Sequence, residues 1–474
     1  MNYKMLETEI LVIGSGPGGA ITAWELIKEN KNVLLIESGS FYKLDSCEPY
    51  STKEMEQKYK YGGLTPTLNS PKIAYVEGSC VGGGSEVNSG FYHRTPSEIL
   101  KNWREVYNIK RFKEIDLLKH FEIIEKEISV SYLPDPKKAA KASFKLKEGA
   151  DKLGWDVMEV PRWFKFFEGS RGIKQSMTET YIDWYINQGG RLINNLKAKI
   201  IKQKKDYWIV SCLQNNKKTN IKAKYVFLCG GAISTPFLLR SSNIKNNIGN
   251  TLQMHPTIKV LAEFGEKVNY QNMGVPIHQV REFSPDISIG CSISSKPYLA
   301  LSLLENDKFL DRVNQHWEKM AIYYAMIRPV GVGKIRKLPF FGDPLVTYDL
   351  KAPDLALLSK ALKKMCTILF NAKALKLYPS IKNYGIIKNL SDINSIPDKL
   401  SKKNINLMTI HLFSSCPMGE NKNICAADSF GKVFGYDNLY INDGSLMPSA
   451  PGVNPQGTIM AIARRNIHNF LRNL

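Results

Sequence analysis

No apolar run in this chain approaches the roughly 20 residues that a membrane-spanning helix needs. None of its eight cysteines forms a Cys-x-x-Cys pair, which argues against structural zinc and against a disulfide framework. Reduced thiols, a cytoplasmic setting and no metal site are the expectation. The chain also lacks a basic-then-apolar leader, since its start runs almost at once into a strand-like segment. Its formal charge is +21, yet no basic block interleaved with aromatics occurs. Lysines are scattered instead, as in Lys202-Gln203-Lys204-Lys205 and Lys363-Lys364. That pattern is a solvated basic surface and excludes nucleic acid as the expected partner, although such a surface still attracts anions at long range. Internal repeats and long low-complexity tracts are absent too. What remains is 474 residues with 43% hydrophobic content, enough for two globular domains sharing an interface.

The first fifty residues read as a nucleotide site. The short β-branched run Ile10-Leu11-Val12-Ile13 predicts a buried parallel strand. Gly14-Ser15-Gly16-Pro17-Gly18-Gly19 follows directly, and then Ala20 to Asn30 has helical character. In such a loop Gly14 permits the tight turn, Gly16 admits a pyrophosphate, and Gly19 lets helix pack on strand. The helix N-terminus offers unpaired N–H groups to phosphates. A second strand, Asn32 to Ile36, ends in Glu37, placed to accept hydrogen bonds from ribose hydroxyls. This βαβ unit does not by itself separate NAD from FAD.

A second glycine-rich stretch bears on that choice. Glu77-Gly78-Ser79-Cys80-Val81-Gly82-Gly83-Gly84-Ser85-Glu86-Val87-Asn88 contains a triplet through which main chain can lie against a flat ring. Farther on, Tyr225 to Leu228 reads as a strand leading into Gly230-Gly231, with Thr235-Pro236 expected to start a helix. The tail adds Asp443-Gly444 and Asn454-Pro455. Together these four blocks resemble, in order, the glucose–methanol–choline (GMC) family of flavin-dependent alcohol oxidoreductases. The tail, and Lys174 to Tyr181, are most similar to its cholesterol-oxidase-like branch. The resemblance implies an α/β architecture. A Rossmann-like FAD domain with a parallel sheet, discontinuous in sequence (1–100, 176–264 and 406–474), would sit beside an α+β substrate domain on an antiparallel sheet (101–175 and 265–405).

The same resemblance implies FAD held by Gly14, Gly16, Gly19, Glu37, Gly83, Gly84, Asn88, Asp443, Gly444 and Pro455. Some members tether FAD through a histidine just before the residue equivalent to Asn88. Val87 stands there, so non-covalent FAD is expected. Oxidising an alcohol removes a hydride from carbon, which a flavin accepts, and a proton from oxygen, which a neutral imidazole can take. His411, at the end of the apolar segment Leu407 to Ile410, is the candidate proton acceptor. Asn454 is read as the N-cap of a final helix from Pro455 to Asn469, its amide also contacting the substrate oxygen. The resemblance gives His255 a structural or nucleotide-adjacent role. His93, His120, His278, His316 and His468 have no motif context and read as surface or packing residues. Cys416, without a paired base, reads as a packing residue. Leu338-Pro339-Phe340-Phe341-Gly342 reads as a buried hairpin turn, with a lid tip or a membrane-touching loop as alternatives.

The expected activity is oxidation of the CH–OH group of a small-molecule alcohol, with oxygen, a quinone or another carrier as electron acceptor. The alternatives are a lyase-like reaction with FAD in a structural role, or a non-catalytic partner subunit that keeps FAD.

Overall fold

The computed structural model describes residues 4–474 apart from 64, 137–138, 169–171, 272 and 274. Two sheets meet across a deep cleft, and each has its own hydrophobic core. In the first sheet the Lys4–Ile13 strand lies between Val33–Ile36 and Lys217–Leu228, parallel to both. Ile10, Leu11 and Val12 are fully buried, as a strand covered on both faces requires. Leu439–Ile441 adds in parallel to Lys217–Leu228, so the tail completes the sheet that the head begins. An antiparallel extension, Lys197–Gln203 and Trp208–Gln214, makes the sheet mixed.

The second sheet is largely antiparallel and runs Thr65–Pro66, Ile73–Tyr75, Leu407–Thr409, Thr257–Phe264, Met320–Ile327, Ile287–Cys291, His278–Val280, Val157–Glu159. Four of its strands (Thr65–Pro66, Ile73–Tyr75, Thr257–Phe264 and Leu407–Thr409) come from segments that the sequence puts on the nucleotide side. Their hydrogen bonding joins them to the second sheet, since a chain that crosses the cleft repeatedly gives no compositional break at each crossing. The Ala352–Asn371 helix backs this sheet and buries Leu358, Leu362, Met365 and Leu369 on one side.

Two local readings change. The helix expected to start at Thr235-Pro236 begins at Gly231, which leaves Pro236 inside it. Proline has no N–H for the carbonyl four residues back. That carbonyl, on Ala232, instead accepts from Ser415 Oγ at 2.6 Å, tying this helix to the turn after His411. The hairpin Val332–Arg336 and Leu345–Asp349 pairs with itself, outside the second sheet. Its tip is not buried: Phe340 is wholly exposed and Phe341 is 67% exposed. Phe341 and Gly342 border the cleft, and Asp343 reaches Lys197 on the opposite side, so the tip is a strap across the opening.

The final helix, Gln456–Arg472, packs on Pro17–Lys28 through a buried charged cluster. Arg464 donates to Glu25 at 3.1 Å and contacts His120 at 3.1 Å, while His468 meets the other Glu25 oxygen at 2.9 Å. Burial pushes the Glu25 carboxyl up, but His468 and Arg464 outweigh it and hold the group at about 2. His120 and His468, which lack any motif, are therefore parts of a structural ion cluster.

Candidate active site

The cleft encloses a cavity of about 760 Å³ running from the Gly14 loop to His411 and Asn454. Gly14 sits at φ +102°, and a Cβ there would collide with the Cys229 carbonyl, so the turn itself demands glycine. Gly19 packs against the Gly14 carbonyl and Cys229; it supports the loop and does not line the cavity. Gly18, not singled out by the sequence, packs against the backbone of Asn442 and Asp443.

Gly16 and Gly84 differ in kind. Gly16 has ordinary φ (−63°), and a Cβ there would find its nearest neighbour, Gly83 Cα, 4.0 Å away. A Cβ on Gly84 would meet nothing within 4 Å. Neither conformation nor packing requires glycine at these two positions, yet both border the cavity. Bare backbone facing open space is what close approach by a phosphate or a flat ring needs. The residues present fit a flavin dinucleotide.

Glu37 also lines the cavity, and its carboxylate organises the loop. One oxygen accepts from Ser15 N (3.0 Å) and Ser15 Oγ (2.8 Å), the other from Ser38 Oγ (3.0 Å) and Gly39 N (2.8 Å). Asp443 is likewise committed to the protein, accepting from Ser445 N and Gly231 N at 2.8 Å each and from Thr235 Oγ1 at 2.5 Å. Its carboxylate thus fastens two strand ends of the first sheet together, which the family resemblance does not convey. Gly444 is wedged between Ile459 and the Leu412 carbonyl. Asn88 donates to Gln456 Oε1 at 2.7 Å and so ties the glycine triplet to the first residue of the final helix. Sequence reasoning missed Gln456, although it directly follows Asn454-Pro455, because its partner Asn88 is 368 residues away.

At the far end the structure brings His411 and Asn454 together. Nε2 of His411 lies 3.2 Å from the Asn454 amide. The helix N-cap position is occupied by Pro455, so Asn454 does not cap it as the sequence predicts. Its side chain is turned into the cavity, between His411 and the Gln279 amide (3.4 Å). Gln279 in turn donates to Tyr324 Oη at 2.6 Å. His93 stands against Gln279 with its Nδ1 unpartnered. His255, 156 residues away in sequence, meets His411 Nδ1 to Nδ1 at 2.9 Å.

Burial holds both members of this pair neutral. It lowers His411 to about 3, with His93 adding to the effect, and drives His255 well below the ordinary range. Their tautomers follow from one fixed donor. The Gly452 N–H, which can only donate, points at His255 Nε2 from 3.1 Å. Neutral His255 therefore keeps its proton on Nδ1 and donates to His411 Nδ1. Neutral His411 then carries its own proton on Nε2, facing the cavity. The Asn454 and Gln279 amides can turn end for end to suit this pattern, whereas Gly452 cannot. With these tautomers the cavity-facing nitrogen is a donor at rest. A lone pair there requires the reverse tautomers, which set the N–H groups of His255 and Gly452 against each other at a cost of about 1–3 kcal/mol. Nitrogen-15 spectra of ring-labelled protein check this: His411 Nε2 is expected to resonate as protonated and Nδ1 as a lone-pair nitrogen.

Cys416 is fully buried, and burial pushes its thiol up, which leaves it a packing residue. Among the described residues, no three His, Cys, Asp or Glu side chains are placed to hold a metal ion. None of the described helices is long and apolar enough to cross a membrane.

Family models for GMC oxidoreductases match residues 55–257 and 341–463, on both sides of the cleft. The chain belongs to the GMC oxidoreductase family. A GMC-type oxidoreductase of Sinorhizobium fredii, itself uncharacterised, is 38% identical over 97% of this chain and 94% of its own length. A long-chain-alcohol oxidase of Arabidopsis thaliana is 26% identical over 97% of this chain and 67% of its own length. Among solved structures, pyridoxine 4-oxidase superposes with a TM-score of 0.74 at 16% identity, over 98% of this chain and 99% of that one. That likeness is one of fold. As a GMC oxidoreductase the protein takes FAD as its cofactor.

Proposed function

We propose that this GMC oxidoreductase oxidises the CH–OH group of an organic alcohol, with the hydroxyl oxygen seated between His411 Nε2 and the Asn454 amide. Those two groups, 3.2 Å apart at one end of a cavity whose other end fits a dinucleotide, carry the reading. Bound FAD supplies the hydride acceptor. His411 first holds the hydroxyl oxygen as a donor, and takes up the proton from the tautomer with its lone pair on Nε2. Asn454 orients the oxygen, and Gln279 and Tyr324 hold Asn454. Bound cofactor and substrate would displace water from the cleft, which strengthens each of these contacts.

The Gly14 loop, Gly83, Gly84, Asn88, Asp443, Gly444 and Pro455 would hold the cofactor, with Glu37 at its ribose end. The carboxylates of Glu37 and Asp443 would act mainly by shaping that cradle. Val87 offers no nucleophile for a covalent link, which supports non-covalent FAD. A long-chain-alcohol oxidase among the relatives supports an alcohol substrate, as do tail motifs similar to the cholesterol-oxidase-like branch. Cysteines buried as free thiols suit a cytoplasmic enzyme.

The test is anaerobic bleaching of the yellow holoprotein by a panel of aliphatic, sterol, sugar, amino and hydroxy-acid alcohols. Loss of the visible flavin band with one of them is expected, and denaturation should release FAD into the supernatant. A holoprotein that stays yellow with every member would favour FAD held without redox turnover.

A further inference from the structure

The cavity carries a charge that the alcohol chemistry does not use. Lys259 lies on the Thr257–Phe264 strand, directly opposite Tyr324 on the neighbouring strand. Tyr324 is opposite Gly290, and Gly290 is opposite Gln279. Residues paired across a sheet point to the same face, so Lys259, Tyr324 and Gln279 form one row, which ends at Asn454. A Cβ on Gly290 would strike the Tyr324 ring, so the glycine leaves room for that ring to lie along the row. Lys259 and Tyr324 both line the cavity, with Thr257 and Met326 one step along the same face.

Among the described residues, no carboxylate pairs with the Lys259 ammonium. Burial alone lowers it, to about 8, with no charged neighbour contributing. Neither His411 nor Asn454 is hydrogen-bonded to it, and three strands of the sheet separate it from the Asn454 end of the row. Four other lysines border the cavity: Lys60 pairs with Glu77 at 2.8 Å and Lys197 with Asp343 at 4.0 Å, while Lys199 and Lys337 stand off the row that leads to Asn454. An ammonium half-buried in the cavity wall without a partner is a ready seat for a ligand that brings the counter-charge. One ammonium, rather than a cluster or a bidentate guanidinium, suits a single carboxylate.

We infer that the substrate is a hydroxy acid, whose carboxylate pairs with Lys259 while its hydroxyl reaches His411 and Asn454. This rests on the alcohol reading of that site and names its substrate class. The carboxylate is bound and unreacted, and the oxidation is that of the CH–OH group. The basic surface would draw such anions toward the cleft.

The experiment uses FAD-loaded protein and chain-matched pairs, ω-hydroxyalkanoates against alkan-1-ols. Unreactive alkanoates serve as binding probes, read by the shift they induce in the flavin spectrum. Hydroxy acids are expected to bleach the flavin at least about 30-fold more efficiently than the matched alcohols. Lys259→Met should remove that preference and weaken alkanoate binding by a similar factor, while Lys259→Arg should retain part of both. Equal or better bleaching by the alcohols in the unaltered protein would overturn the proposal and leave the alcohol reading intact. Alkanoate binding unchanged in FAD-loaded Lys259→Met would overturn it too. If alkanoates bind through Lys259 while no alcohol bleaches the flavin, the anion site stands and the alcohol reading falls.

Discussion

Replacing His411 with alanine is expected to slow substrate-driven bleaching of the flavin by about 10²–10⁴-fold, the usual range for a proton-transfer group. The ring borders the cavity and is held on both nitrogens, by His255 at 2.9 Å and Asn454 at 3.2 Å. Its loss leaves the hydroxyl proton no imidazole to go to, and leaves His255 Nδ1 a buried donor without a partner. FAD should remain bound, because Gly14, Gly16, Gly83 and Gly84 lie at the other end of the cavity. Stopped-flow traces under nitrogen, with FAD content measured alongside, separate the two effects. A variant that reduces its flavin at the original rate would remove His411 from the chemistry.

Mild acid is expected to destabilise the fold more than any single substitution on the surface. Burial lowers His93 to about 4, and lowers His120 and His411 to about 3, with Arg281, Arg464 and His93 respectively adding to it; His255 lies well below the ordinary range. The unfolded chain takes up these protons near pH 6.5 while the folded protein refuses them. Stability is therefore whole above pH 6.5 and falls as the pH drops toward 4. At pH 5 each of the four costs roughly 2 kcal/mol, about 8 kcal/mol in all. In a chain this long each kcal/mol moves the melting temperature by roughly 1 °C, so a fall of about 8 °C between pH 7 and pH 5 is expected. Glu25, held at about 2, adds a further loss only below its ordinary value of 4.5. Scanning calorimetry across that range decides it; an unchanged melting temperature would mean that these rings are not buried neutral.

The nucleotide end was legible in the sequence because its constraints are local. Gly14 must turn, Gly16 must stay bare, and both stand within six residues of a buried strand. His411 and Asn454 were legible as a pair only through family resemblance, and Asn454 was misread as a cap because asparagine before proline has that meaning in isolation. Lys259, Tyr324 and Gln279 left no trace. Each is one residue on its own strand, and only the register between strands puts them in a row. His255 was invisible as a partner of His411 for the same reason, the pairing of Thr257 with Met408 being what draws the two rings together. Phe340 and Phe341 read as buried from their hydrophobicity, whereas the strap they cap spans a cleft that no local pattern announces.

The tail's last strand, Leu439–Ile441, and the Asn442 backbone against which Gly18 packs impose an order of events on the living cell. While the ribosome is still making residue 400, the opening loop has no floor beneath it. The vitamin-derived prosthetic group can find a finished seat only once residues 439–443 have been made and have folded back onto the head.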